Sequence, residues 1–285
     1  KVLLITDFAS ILSLNGDAQK QIFAQLRNLY DGDAYKDTGS GARKHYSDLR
    51  ITMIANSTPI INHKILIHQD LGTRELMYRT DSKEDSVDFE QKSLRALENE
   101  GRKPEMRKEI KATADCFLDS VKVTQTPISD KIRDWLFEKA KWLSIMRSTA
   151  STDAYSSELI SDVSPEVPTR LLMQMKVVYQ CLKSLDKDYS DKRAKEIILR
   201  IIHSSAKDIR VRIYQYLQNC DEAITSSKIA EALKMGKKTI ITECNILWNL
   251  DLINCRKEIT QSFGREFEIS YWSTKHKPVV EEQVS

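Results

Sequence analysis

The last quarter of the chain constrains the fold most. Between about residues 205 and 275, three short amphipathic segments precede two strand-like runs, and each junction carries a cap or turn signal. Ile209, Val211, Ile213, Tyr214 and Leu217 recur at helical spacing and predict a helix over Lys207–Gln218. Thr225 or Ser226 is placed to cap a second helix, Ser227–Leu233, with Ile229 and Leu233 inward. Gly236 predicts a tight turn. A third helix, about Lys237–Leu250, packs through Ile240, Ile241, Cys244, Leu247 and Trp248. Strands Ile253–Thr260 and Glu266–Trp272 follow, joined through Gln261-Ser262-Phe263-Gly264 with the glycine at the turn.

That order resembles a winged helix. In a helix–turn–helix the third helix enters the major groove, its N-terminal residues nearest the bases. Those residues are Lys237, Lys238 and Thr239 here, with Thr242 and Asn245 one turn further on. Lysine reaches phosphates, while Thr and Asn reach base edges. Arg256, Lys257 and Arg265 fall on the wing, where backbone contacts are expected. The expected partner is DNA. The same module also serves protein–protein contact, and lysines at a helix start are often only a solvated face.

The bulk composition adds bounds. A length of 285 residues predicts two or more domains. With 44 Lys+Arg against 41 Asp+Glu, the net charge of +3 is too small to argue for nucleic acid, so any basic surface must be local. Cys116, Cys181, Cys220, Cys244 and Cys255 form no CxxC pair and are odd in number, which argues against a zinc site or a disulfide framework and fits a reducing, intracellular, cytoplasmic setting. His45, His63, His68, His203 and His276 have no metal-ligand spacing. No apolar run approaches the roughly 18 residues of a membrane span, and no signal peptide is visible.

The front of the chain opens straight into Val2-Leu3-Leu4-Ile5, and a start in mid-strand predicts that an N-terminal part is missing. Residues 2–6 and 49–56 read as two buried strands, the first ending at Asp7, the second in Asn56-Ser57-Thr58. Residues 17–30 read as a helix and 31–48 as a loop or hairpin. Glu75–Arg79 reads as a short strand or helix, and residues 82–122 as one or two charged helices. Residues 128–147 form a helix with Trp135 and Trp142 on its apolar side. A Ser/Thr/Pro-rich linker spans 148–168, and helices follow at about 168–185 and 190–203.

In that order the motifs resemble the later part of an AAA+ ATPase of phage or mobile-element type. Leu3-Leu4-Ile5-Thr6-Asp7-Phe8 resembles a Walker B strand, Asn56 to Thr58 the sensor-1 position, and Arg74, with Arg79 as alternate, the arginine finger. Arg170, opening an apolar helix after Pro168, resembles sensor 2. A lid followed by a winged helix resembles the minichromosome-maintenance-like helicases. The resemblance covers about residues 1–80 and 165–275; residues 82–150 match no family pattern. It implies an α/β AAA+ remnant over residues 1–80, mostly helical overall, a helical middle, linker and lid over 81–204, a winged-helix (α+β) domain over 205–275 and a polar tail over 276–285.

What the resemblance implies for chemistry is phosphoryl transfer by positioning and charge neutralisation. ATP and Mg²⁺ are the implied cofactors: Asp7 holds Mg²⁺ through water, Asn56 or Thr58 orients the attacking water, and Arg74 acts on a neighbouring subunit's nucleotide in a homo-oligomeric ring. Tyr35 to Tyr46 combines basic and aromatic residues around glycines. In a ring helicase such a hairpin projects into the channel, where Lys36, Arg43 and Lys44 contact DNA phosphates. Two departures stand out. No Gly-x-x-x-x-Gly-Lys-Ser/Thr loop is present, so the chain alone is expected to hydrolyse no ATP, and Phe8 occupies the place of the water-polarising glutamate. The expected function is part of an ATP-driven DNA helicase or translocase in replication of a mobile element or virus. The alternative is a non-enzymatic DNA-binding replication initiator or transcription regulator.

Overall fold

The computed structural model describes residues 2–37, 43–61, 75–80, 89–123, 127–148, 150, 160, 163, 165–185, 190–262 and 265–275, with the backbone alone at 35–37, 43, 44, 89, 90, 262, 265 and 267. The described chain is mostly helical with small sheets. It divides into two units: Lys1–Glu75, Met146–Pro165 and Lys207–Ser285 form the first, and Leu76–Ile145 with Glu166–Ala206 form the second. Among the described residues no helix is long and apolar enough to cross a membrane.

In the first unit β1 (Val2–Ile5) and β4 (Thr52–Ala55) pair in parallel, from Val2 opposite Thr52 to Ile5 opposite Ala55. A parallel pair needs a crossover. Here that connection runs through α1 (Phe8–Leu12), α2 (Gly16–Tyr30) and the antiparallel hairpin of β2 (Ala34–Asp37) and β3 (Arg43–Tyr46). Asn15 caps α2 by accepting from the Ala18 N–H at 2.9 Å. Gly32 follows its end at φ +96°, a conformation other residues rarely adopt, and its carbonyl accepts from the Leu49 N–H at 2.9 Å. Phe8, Leu12 and Phe23 form a small core, the two rings 5.9 Å apart, with Ile5, Ile11 and Leu26 against it.

The two strands are not the buried strands the sequence predicts. Val2 is 67% and Leu4 59% exposed, and every position of β4 is exposed. A continuous apolar run implies cover on both faces. The described helices supply it to one side of β1 only, where Leu3 and Ile5 are half-buried.

The C-terminal part of the first unit holds α8 (Asp208–Gln218), β5 (Ile224–Thr225), α9 (Ser226–Leu233), α10 (Lys237–Asn249), β6 (Ile253–Ser262) and β7 (Arg265–Thr274). The sheet is antiparallel, in the order β5-β7-β6. Val211, Ile213, Leu217, Ile229, Ile240, Cys244, Leu247, Ile253 and Trp272 fill its core. Trp272 is fully buried, and its indole N–H donates to the Ser226 hydroxyl at 2.8 Å. Thr225 caps α9 through the Lys228 N–H. Three details correct the sequence reading. The left-handed residue between the helices is Lys234 (φ 53°, ψ 48°), whereas Gly236 is extended (φ −64°, ψ 133°). Trp248, expected in the core, is 42% exposed. β5 goes unread because two residues carry no periodicity.

In the second unit α3 (Phe89–Glu98) and α4 (Lys103–Ser120) are exposed along their described side chains, save for a half-buried Met106. The core comes from α5 (Asp130–Arg147, in this unit up to Ile145), α6 (Thr169–Leu185) and α7 (Asp191–Ser205). Ile132, Leu136, Ala140 and Leu143 face inward from α5, Leu171, Met175 and Tyr179 from α6, and Ala194, Ile198 and Ile202 from α7. The Tyr179 hydroxyl donates to Asp191 at 2.8 Å, which with Lys183 holds that carboxyl below its usual range. Residues 75–80 adopt neither strand nor helix, contrary to expectation. The Met77 and Arg79 N–H groups donate to the hydroxyls of Ser205 and Ser204, at 2.8 and 3.1 Å, so side chains of α7 satisfy a backbone that needs no regular element.

Candidate nucleic-acid interface

α10 begins at an extended Gly236, which offers no side-chain cap to the first N–H groups of a 13-residue helix. Lys237, Lys238 and Thr239 are exposed there, and Thr242 and Asn245 are half-buried on the next turn. Glu243 is the one carboxylate of this helix, and it points inward. The residues exposed at the start of α10 are therefore two lysines and a threonine.

The inward turn of Glu243 has a cause in α8. Arg210, 1% exposed, donates its Nε to Glu243 Oε2 at 2.8 Å, and Lys207 bonds the other carboxylate oxygen. Arg210 also donates to the carbonyls of Met146 and Ser148, at 3.2 and 2.5 Å, tying the end of α5 to the same charge cluster. Burial pushes the Glu243 carboxyl up, but Arg210 and then Lys207 outweigh it and hold it below the usual range. Sequence reasoning missed this network. The signal was present in a glutamate at the inward spacing of Ile240, Cys244 and Leu247.

The cations expected on the wing are engaged by neighbours where they are described. Arg256 pairs with Glu258 at 2.9 Å and stacks 5.3 Å over Tyr271, and Lys257 pairs with Glu268 at 2.7 Å. The side chain of Arg265 and the turn residue Gly264 lie outside the described residues. In the front hairpin, the register sets Lys36 opposite Lys44 and Asp37 opposite Arg43, while the side chains of Lys36, Arg43 and Lys44 also lie outside. Like charges directly opposite in an antiparallel pair destabilise it unless something neutralises them.

The expected nucleotide-handling residues fall in different places. Asp7 and Asn56 both lie at the C-terminal edge of the parallel pair, where the Asn56 N–H donates to the Ile5 carbonyl at 2.9 Å and the Phe8 N–H to the Asn56 carbonyl at 2.7 Å. Asp7 occupies the N-cap of α1, is exposed, and makes no side-chain cap bond. Thr58 is exposed in the loop after β4. Phe8, at the expected place of a catalytic glutamate, is packed in the core at 7% exposure. Arg74 lies outside the described residues. Arg79 is half-buried and belongs to the second unit, as does Arg170, which pairs with Glu166 one turn before it. Among the described residues no three His, Cys, Asp or Glu side chains cluster as metal ligands.

Comparison with protein-family models, with curated proteins and with solved structures finds no match.

Proposed function

We propose that this chain binds duplex DNA through a winged helix, α8 to β7, and works as part of an ATP-driven DNA helicase or translocase in replication of a mobile element or virus. The exposed start of α10, Lys237-Lys238-Thr239, carries the DNA part of this reading. The order helix, short strand, helix, helix, hairpin and the sheet order β5-β7-β6 support the winged helix. A helix presented in this way suits the major groove, its N-terminal N–H groups and two lysines on phosphates, Thr239 and Thr242 toward base edges.

The ATPase part rests on the edge where Asp7 and Asn56 follow adjacent parallel strands, the position at which α/β folds handle phosphates. A lone exposed carboxylate with no capping duty suits Mg²⁺, which keeps several waters and needs few protein ligands. When bound, the ion neutralises phosphate charge. Asp7 would hold it through water, and Asn56 or Thr58 would orient the attacking water. A ring assembly follows from an arginine finger such as Arg74. Two observations favour instead a non-enzymatic DNA-binding initiator or regulator: Phe8 is a core residue where a base is needed, and Arg170 is engaged by Glu166.

The test is the affinity of the chain for a labelled duplex, followed by anisotropy across a salt series. Lys237→Gln with Lys238→Gln should flatten the slope of log affinity against log salt by about 1–2 units, at roughly 0.9 per lost phosphate contact. An unchanged slope would remove α10 from the interface. Duplex binding that responds to Mg-ATP, and loses that response in Asp7→Ala, separates the enzymatic reading from the purely DNA-binding one.

A further inference from the structure

In the second unit, one flank of α5 and one flank of α7 assemble an aromatic and basic surface that the winged-helix reading does not use. Trp135, Lys139 and Trp142 recur at i, i+4 and i+7 along the edge of the buried face of α5. The sequence places the two indoles on the apolar side of this helix, but the core belongs to Ile132, Leu136, Ala140 and Leu143. Both tryptophans are only half-buried. Lys195 and His203 stand at i and i+8 on α7. The Lys195 ammonium lies 5.2 Å from the Trp135 ring centroid and that of Lys139 lies 5.9 Å from it, while the Trp142 and His203 rings are 5.7 Å apart.

Neither Lys139 nor Lys195 makes an ion pair among the described residues. Asp134 is taken by Arg133 at 2.8 Å, and Asp191 by Tyr179 and Lys183, with Lys195 attracting it more weakly from farther away. Glu138, on the outward side of the same edge, is exposed and pairs with neither lysine. Two ammonium groups drawn to one ring repel each other. Packing around its ring and then the Lys139 charge hold His203 below the usual imidazole range. A flat, electron-rich surface under two cations that form no ion pair among the described residues suits a ligand that joins planar rings to anions.

We propose that this surface binds single-stranded nucleic acid, with Lys139 and Lys195 on successive phosphates and a base stacked against Trp135. It is separate in chemistry from the duplex-binding face of α10, so either can fail without the other.

The experiment titrates the whole chain into a labelled oligothymidylate and, in parallel, into a labelled duplex, over a salt series. Lys139→Gln with Lys195→Gln, both outside the core, should flatten the single-strand slope by about 1.4, at roughly 0.7 per phosphate contact, and leave the duplex slope unchanged. Trp135→Ala should weaken single-strand binding about 5- to 150-fold and Trp135→Phe much less, since a ring remains to stack on. Circular dichroism confirms that each variant keeps its helices. Absence of single-strand binding, an unchanged slope in the double lysine variant, an equal loss on duplex, or competition by inorganic phosphate at matched ionic strength as effective as by unlabelled oligonucleotide would each overturn the proposal.

Discussion

At the scale of single residues, the decisive group is Glu243. A carboxylate on the outer face of α10 would repel phosphate; buried against Arg210 and Lys207, it organises the module instead. Removing one member of a buried charge network leaves the others uncompensated, which costs about 3–5 kcal/mol, whereas replacing the whole network with apolar groups is far cheaper. Glu243→Gln should therefore destabilise the protein by about that much in urea unfolding. The triple replacement Lys207→Met, Arg210→Met, Glu243→Leu should cost less than the single one, although the carbonyls of Met146 and Ser148 then lose their donor. A triple variant less stable than Glu243→Gln would show that the network is a net source of stability.

At the scale of elements, helices were the legible part. Apolar spacing located α2 and α5 to α10 within a residue or two, because a buried stripe writes itself at a period near 3.6. What periodicity cannot report is cover supplied from elsewhere, hence the exposed β4; short pairing, hence the unread β5; and backbone satisfied by side chains, hence the irregular run at Met77 to Arg79. Of the candidate site, the start of α10 and the Asp7–Asn56 edge were legible as positions, whereas the Glu243 network and the lysine-flanked Trp135 needed three dimensions. The turn between α9 and α10 shows the same limit: the glycine signal fell two residues from the left-handed residue, Lys234. A side chain in that conformation costs of order 1 kcal/mol or more. At extended Gly236 an added Cβ meets Thr239 Oγ1 at 3.6 Å, an ordinary contact. Lys234→Gly with Gly236→Ala should therefore raise stability by roughly 1 kcal/mol, seen as a higher thermal midpoint. Destabilisation would mean that Lys234 contributes more than its backbone strain removes.

At the scale of the whole molecule, the two units differ in the titrating groups they carry, and stability should fail on opposite sides of neutrality. In the second unit the folded His203 binds its proton less readily than the unfolded one, from packing first and Lys139 second. The unfolded state therefore holds more protons, and the contribution of this group, complete above the ordinary imidazole value of 6.5, is lost as pH falls from there through the lowered folded value. Asp191 in the same unit and Glu243 in the first are also lowered, but their losses begin only below the carboxylate values of 3.8 and 4.5. On the alkaline side the order reverses. Burial, and then Glu243, push the Cys244 thiol of the first unit up, so its contribution is complete below 9.0 and is lost as pH rises toward the folded value. Tyr179 in the second unit is also raised, but from the later starting point of 10.0. Each unit contains two tryptophans, Trp248 and Trp272 in the first and Trp135 and Trp142 in the second, so variants retaining one pair report on one unit. As pH falls below 6.5 the Trp135 and Trp142 reporter should lose denaturant resistance while the other pair holds, and His203→Gln should remove that slope. Above about pH 9 the Trp248 and Trp272 reporter should weaken first, and Cys244→Ala should flatten its alkaline slope at some cost in packing. Identical pH profiles from the two pairs would mean that the units unfold as one, and the local titrations would then be averaged across the chain.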